Sequence, residues 1–278
     1  MSAPHVHERA YAKLNLVLQV GRPRPGGLHP LCSLFASIEL ADEVIAEPAA
    51  SGVDRVECPG VEGRNLAEMA LASFRERFPS LPPVGVRIVK RIPVAAGLGG
   101  GSADAAAVLR AANRIAGDPL DVGALRELAA PLGSDVPSQV EPRHALVQGT
   151  GEIVEPVELP PLAAVLVPQE EGLSTAAVYA QLDRMEGWRE RLDAKRLLAL
   201  VRAPATLAAA LENDLQPAAL ALRPELGPVL DRLRSEGSLG ALVSGSGPTC
   251  FGLFEDPADA RAAAAAIPGA LVTALRDA

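Results

Sequence analysis

The sequence predicts an α+β or α/β chain folded as two domains, and three observations carry that reading. Runs with the period-two alternation of strands interleave with runs of helical periodicity across short turns. The 278 residues are enough for one large domain or two ordinary ones of ~100–200 residues. Pro156, Pro160 and Pro161 cluster as a linker, which divides the chain into 1–155 and 156–278.

Residues 10–20 read as a strand. Leu14, Leu16, Leu18 and Val20 fall on one face and Lys13, Asn15, Val17 and Gln19 on the other, so a cation and an amide emerge side by side. A Pro/Gly loop covers 22–30, and an apolar run resumes at 31–40. Asn65 starts a helix in which Leu66, Met69, Ala70, Phe74 and Phe78 keep helical spacing, and Pro79, Pro82 and Pro83 end it. Val84, Val86 and Ile88 alternate as a strand that leads through Lys90 and Arg91 into a glycine loop. Small residues over 103–116 predict a helix, and 122–132 predict another behind an Asp121 cap. Beyond the prolines the spacing predicts strands over 163–167, 239–243, 250–254 and 271–275, and helices over 175–186, 194–201, 225–235 and 258–266.

Composition excludes several functions. Hydrophobic residues make up 49% against 22% charged, enough apolar side chain to bury a core. Aromatics are only 3%, which argues against base-stacking platforms, and a net charge of -8 argues against a nucleic-acid surface, since phosphate neutralisation needs clustered Lys and Arg. Cys32, Cys58 and Cys250 form neither a zinc spacing nor a disulfide framework, which fits a reducing cytoplasm. His5 and His7 form an isolated His-x-His pair near the terminus, an incidental pattern, so no metal site is assigned. No apolar run is long enough for a membrane span, and the N-terminus lacks the apolar core of a signal peptide.

The most informative stretch is Pro93, Val94, Ala95, Ala96, Gly97, Leu98, Gly99, Gly100, Gly101, Ser102 and Ala103, followed by Asp104 and an alanine run. Its glycines free the backbone to turn and aim successive N–H groups at one point, and Ser102 stands where a helix N-cap belongs. With the positive end of a following helix, that is a cradle for phosphate. A nucleotide loop of the Walker type needs Gly-Lys, which the chain lacks. A dinucleotide fingerprint wants Gly in place of Ser102 and an acid closing the next strand, whereas Asp118 and Asp121 precede a helix. The protein-kinase triplets His-Arg-Asp and Asp-Phe-Gly are absent. A plain tight turn is the bland alternative. A second Gly/Ser loop, Ser244 to Thr249, lies between two predicted strands, with a flexible hairpin as its alternative reading. Asp135 sits in a Gly/Pro-bounded turn, where capping is a common role for Asp.

Taken together, Ala12-Lys13-Leu14-Asn15-Leu16, the stretch 93–107, Leu132-Gly133-Ser134-Asp135-Val136-Pro137 and the segment 244–254 resemble the GHMP kinases, and among them the 4-diphosphocytidyl-2-C-methyl-D-erythritol kinase family. The resemblance implies a two-domain α+β GHMP kinase fold with the active site in the cleft between domains. It implies a cytoplasmic enzyme taking ATP, with Mg2+ but no assigned protein ligand to it, and phosphorylating the 2-hydroxyl of a small cytidylated alcohol. It makes the residue matching Asp135 the base and the one matching Lys13 its partner in charge stabilisation. By the same resemblance 93–103 wraps the ATP phosphates, Asn65 and Lys90 lie near the nucleotide, and Asn15, His29, Thr175 and Tyr179 line the acceptor pocket. Leu28 departs from the pattern, because the family carries Tyr immediately before the substrate His. That departure supports a kinase for another small alcohol, of homoserine or mevalonate type. A nucleotide-binding regulator without activity would have lost the base, whereas Lys13 and Asp135 are both present. Oligomeric state is not expressed in the sequence.

Overall fold

A computed structural model describes residues 5–49, 51–61, 63, 65–200 and 203–277. Helices and strands interleave as expected for an α+β protein, and the chain divides into two units built from discontinuous segments. The first takes the chain up to Ala12, Leu40–Val94 and Gly99–Pro142; the second takes Lys13–Glu39, Ala95–Leu98 and the chain from Arg143 onward. Strands β1 (Val6–Val20) and β2 (Leu31–Pro48) therefore supply residues to both.

The first unit continues with β3 (Arg55–Glu57), α1 (Leu66–Arg77) and β4 (Val84–Val89). β4 runs antiparallel to the end of β2, from Glu43↔Val89 to Pro48↔Val84, and parallel to β3. Asn65 caps α1, its Oδ1 accepting from Ala67 N at 2.9 Å, and Ala67, Ala70, Leu71 and Phe74 form the buried face. That face packs on α2 (Gly100–Ile115), whose buried Ala103, Ala105, Ala106, Ala107, Ala111 and Ala112 allow close approach. α2 starts three residues earlier than expected. Gly99, at φ 72°, is the N-cap, in the left-handed conformation that glycine adopts without a Cβ penalty, and Ala103 N donates to Gly99 O at 2.9 Å. Ser102 is thus inside the first turn and is not the cap. Asp121 caps α3 (Val122–Ala129), a turn of 3-10 helix at Ala130–Leu132 follows, and α4 (Val136–Gln139) closes the unit.

In the second unit β5 (Ala145–Gly149) pairs antiparallel with Leu31–Phe35 of β2 and with β6 (Ile153–Pro156). Pro156 accordingly ends a paired strand. Then come β7 (Ala163–Val167), α5 (Thr175–Arg184), α6 (Ala194–Leu200), α7 (Pro204–Ala209) and β8 (Glu212–Asn213). The chain ends with α8 (Gln216–Leu222), α9 (Leu226–Ser235), β9 (Gly240–Val243), β10 (Cys250–Phe254), α10 (Pro257–Ala266) and β11 (Leu271–Ala274). Strands in the order β11-β7-β10-β9 make an antiparallel sheet, and α9 and α10 pack on it through Leu230, Leu233, Ala260 and Ala263 against Val165, Val243 and Phe254. β8 pairs parallel with β1 at Val17↔Glu212 and Leu18↔Asn213. The helix expected over 194–201 runs to Leu200, and Val201 lies outside the described residues. Among the described residues no helix is long and apolar enough to cross a membrane.

His144, just before β5, is buried. Its Nδ1 accepts from Ser37 N at 3.2 Å, and its Nε2 donates to Arg276 O at 2.7 Å, a pairing that the neutral ring satisfies. Burial lowers its pKa, outweighing the opposing bond to the Arg276 carbonyl. The unfolded chain therefore takes up the proton first, at about pH 6.5. Stability is complete above that pH and declines as pH falls through it toward the lower folded value. Denaturant titrations between pH 8 and 5 are expected to show this decline in the wild type and a shallower one in His144→Gln; equal slopes would remove His144 as the cause.

Candidate active site

Within the second unit, Lys13 and Asn15 meet as the strand alternation predicts, and both are buried. Lys13 Nζ donates to Asn15 Oδ1 at 2.5 Å and stands 4.9 Å from the Phe35 ring centroid. Asn15 Nδ2 donates to Ser33 Oγ at 2.9 Å, and Ser33 Oγ donates to Val17 O at 2.6 Å, so the amide is oriented from behind. A Cβ on Gly245 would lie 3.0 Å from Asn15 Oδ1 and 3.4 Å from Lys13 Nζ, which brings the second Gly/Ser loop against this pair.

That loop also packs on part of the first. Lys13 N donates to Leu98 O at 3.0 Å, Ser244 Oγ to Gly97 O at 3.0 Å, and Thr249 N to Ala96 O at 3.3 Å. Asn213 fixes the Gly/Ser loop from β8: its Nδ2 donates to Val243 O and Gly245 O, each at 2.8 Å. Asn213, like Ser33, escaped sequence reasoning because its partners lie far away in the chain.

Within the first unit, α2 begins without a side-chain cap and with no acidic residue in its first turn. The dipole of a 16-residue helix is thus uncancelled at Gly100, Gly101 and Ser102, which suits an anion. Pro93 and Val94 belong to this unit, whereas Ala95, Ala96, Gly97 and Leu98 belong to the other. Asn65 is the α1 cap described above. Lys90 is largely buried between two carboxylates: Nζ reaches Asp104 Oδ2 at 2.6 Å and also Asp42. Although burial opposes it, the two carboxylates hold the ammonium pKa above its ordinary value. Burial pushes the Asp104 carboxyl up to about 7, with the Asp42 charge adding to the rise and Lys90 opposing it. Neither Asp42 nor this use of Asp104 was expected from sequence. Asp135 is half-buried and immediately precedes α4, yet its side chain does not cap that helix.

The remaining expected residues lie in the second unit. His29 is buried, with Nδ1 2.8 Å from Gly21 O, Nε2 3.3 Å from Asp183 Oδ1, and its ring 5.2 Å from that of Tyr179 at 45°. Both ring nitrogens are thereby engaged. Thr175 Oγ1 and Ser246 Oγ share a hydrogen bond of 2.9 Å, linking the start of α5 to the Gly/Ser loop. Leu28 is 64% exposed.

Comparison with known proteins gives this arrangement its context. The model for the GHMP kinases N terminal domain matches residues 65–141, and that for the GHMP kinases C terminal matches 194–272. The 4-diphosphocytidyl-2-C-methyl-D-erythritol kinase of Streptomyces avermitilis is 42% identical over 271 residues, covering 93% of this chain and 91% of its own. The chain is a GHMP kinase, of the 4-diphosphocytidyl-2-C-methyl-D-erythritol kinase family. The kinase of the same name from Thermobifida fusca is likewise 42% identical, over 96% of this chain and 93% of its own. A crystal structure of 4-(cytidine 5'-diphospho)-2C-methyl-D-erythritol kinase matches the GHMP kinase described here with a TM-score of 0.83 at 37% identity, covering 98% and 100% of the two chains. Homoserine kinase from Cytophaga hutchinsonii, at TM-score 0.68 and 18% identity over 98% of this chain and 95% of its own, shares the fold. This GHMP kinase is accordingly an ATP-dependent phosphotransferase for a small molecule.

Proposed function

We propose that the kinase transfers the γ-phosphoryl group of ATP to the 2-hydroxyl of 4-diphosphocytidyl-2-C-methyl-D-erythritol, in non-mevalonate isoprenoid precursor synthesis. The observation that carries this reading is the identity of 42% along nearly the whole of relatives bearing that kinase name. Residues 93–103 hold the phosphates; the uncapped start of α2 and the left-handed glycines at 97 and 99 fit an anion. Mg2+ carried by the nucleotide would offset phosphate charge, and no residue of this chain is assigned to hold it. Asn65 and Lys90 act on the nucleotide side, Lys90 from within its ion cluster. Asn15, His29, Thr175 and Tyr179 line the acceptor side.

Asp135 takes the proton of the acceptor hydroxyl as its oxygen bonds to the γ-phosphorus, and the bond to the β-phosphate oxygen breaks to release ADP. Lys13, held in place by Asn15, offsets the charge that develops. Phosphoryl transfer is driven chiefly by such positioning and charge neutralisation. The same reading puts the enzyme in the cytoplasm, where ATP is held.

Leu28, where the family carries Tyr, favours a second reading, a GHMP kinase for a homoserine- or mevalonate-type alcohol. ADP release measured against the cytidylated methylerythritol, mevalonate and homoserine separates the two, and turnover of only the smaller alcohols would replace the first by the second. If a cytosine ring stacks on Tyr179, Leu28→Tyr supplies its other face. Aromatic stacking is worth roughly 1–3 kcal/mol, so the acceptor KM is expected to fall at least several-fold while the ATP KM is unchanged. An equal KM for cytidine and uridine versions of the acceptor in both proteins would defeat cytidine recognition.

A further inference from the structure

We propose that Asp42 and Asp104 are positioning residues for the phosphate loop, acting through Lys90 to fix the separation of the loop's two ends; this rests on reading residues 93–103 as the ATP-phosphate site. Asp42 is fully buried. Its Oδ1 accepts from the backbone N–H of Arg91 at 2.5 Å and of Ile92 at 2.8 Å, the last residues before the loop, and its Oδ2 accepts from Lys90 Nζ. The same ammonium reaches Asp104 Oδ2 at 2.6 Å, in α2 just after the loop ends at Gly99. One side chain thus ties the strand that feeds the loop to the helix that leaves it.

Packing enforces the same separation. A Cβ on Gly100 would lie 3.0 Å from Ile92 Cγ2 and 3.4 Å from Lys90 Nζ, so the helix start rests on this cluster with little room to spare. As a folding device the cluster is poor. A buried ammonium faces two buried carboxyls, burial with the Asp42 charge works against ionisation of Asp104, and Asp104 Oδ1 is buried without a hydrogen-bond partner. Buried charges so arranged commonly stabilise less than apolar side chains of the same volume. What two carboxylates on one ammonium do supply is geometry: two fixed attachment points on either side of seven loop residues, 93–99.

The test uses the full-length chain as wild type, Asp42→Asn, Asp104→Asn and Gly97→Ala. It reads the Kd of a non-hydrolysable ATP analogue, the KM values for ATP and acceptor, kcat and Tm. Asn preserves shape and an accepting oxygen while removing the charge that holds Lys90. Each Asn variant is expected to weaken the analogue about tenfold, in line with loss of a charge-assisted hydrogen bond, and to leave the acceptor KM within about twofold. If Gly97→Ala loses the analogue and both Asn variants bind it normally, positioning is overturned and the loop reading stands. If Gly97→Ala binds it normally, the loop reading falls and takes this one with it. Equal losses for ATP and acceptor alongside a lowered Tm would make the cluster merely structural and overturn the proposal. Should Asp42→Asn fail to fold, Asp104→Asn carries the test alone.

Discussion

Asp135→Asn is expected to lower kcat by about 10² to 10⁴ while an ATP analogue binds within about twofold of wild type. The usual reason for Asp at the start of a helix is to accept from the first-turn N–H groups, and at α4 the Asp135 side chain makes no such cap. Its main-chain oxygen accepts from Ser138 Oγ at 2.8 Å. Asn is nearly isosteric and keeps an accepting oxygen, so a fall in kcat reports the lost ability to take a proton. Single-turnover rates alongside analogue titration check this, and near-wild-type turnover at every pH would remove Asp135 from the chemistry.

Gly97→Ala carries the second large effect, loss of nucleotide binding. Gly97 has φ 77°, and a Cβ there would lie 2.3 Å from Ser244 O, 2.9 Å from Gly247 O and 3.0 Å from Gly247 N. These are backbone atoms, so no side chain can swing aside. The left-handed conformation alone costs an alanine roughly 1–2 kcal/mol. Separating the segments also forfeits the bonds from Ser244 Oγ to Gly97 O and from Thr249 N to Ala96 O. Analogue titration should find at least a hundredfold weaker binding, at about 2.7 kcal/mol, with a Tm several degrees lower. Gly227→Ala, where an added methyl meets nothing within 4 Å, is the control that leaves affinity unchanged and does not lower Tm. Wild-type affinity in Gly97→Ala would show that the loop is only a turn.

Local signals in the sequence were reliable where the physics is local. The amphipathic face of α1, the Asn65 and Asp121 caps, and the adjacency of Lys13 and Asn15 follow from periodicity and short-range hydrogen bonding. Short elements were not legible. β3, β8 and α4 hold only two to four residues, too few for a period to show, and they exist because tertiary partners pair with or bury them. The start of α2 was misplaced because Ser102 is a good cap by residue type, whereas the backbone turn at Gly99 decides the position. In the candidate site the expected residues rest on motif, whereas Asp42 and Asn213 bond to groups 48 or more and 30 or more residues distant, which composition and spacing do not reveal.

The interleaved segments of the two units also set a timetable for the growing chain. Leu31–Phe35 find their β5 partners only when residues 145–149 have been made, and Val17 and Leu18 find β8 only at residues 212–213. At ~5–20 residues per second the first of these waits lasts on the order of 10 s. During it, apolar stretches with open hydrogen-bonding edges emerge ahead of the strands that cover them, a period of exposure to mispairing and to chaperones. A chain cut at the proline cluster would reproduce that state permanently: its amino-terminal piece would keep β5 and lack β8, so the strand carrying Lys13 would have no edge partner at Val17 and Leu18.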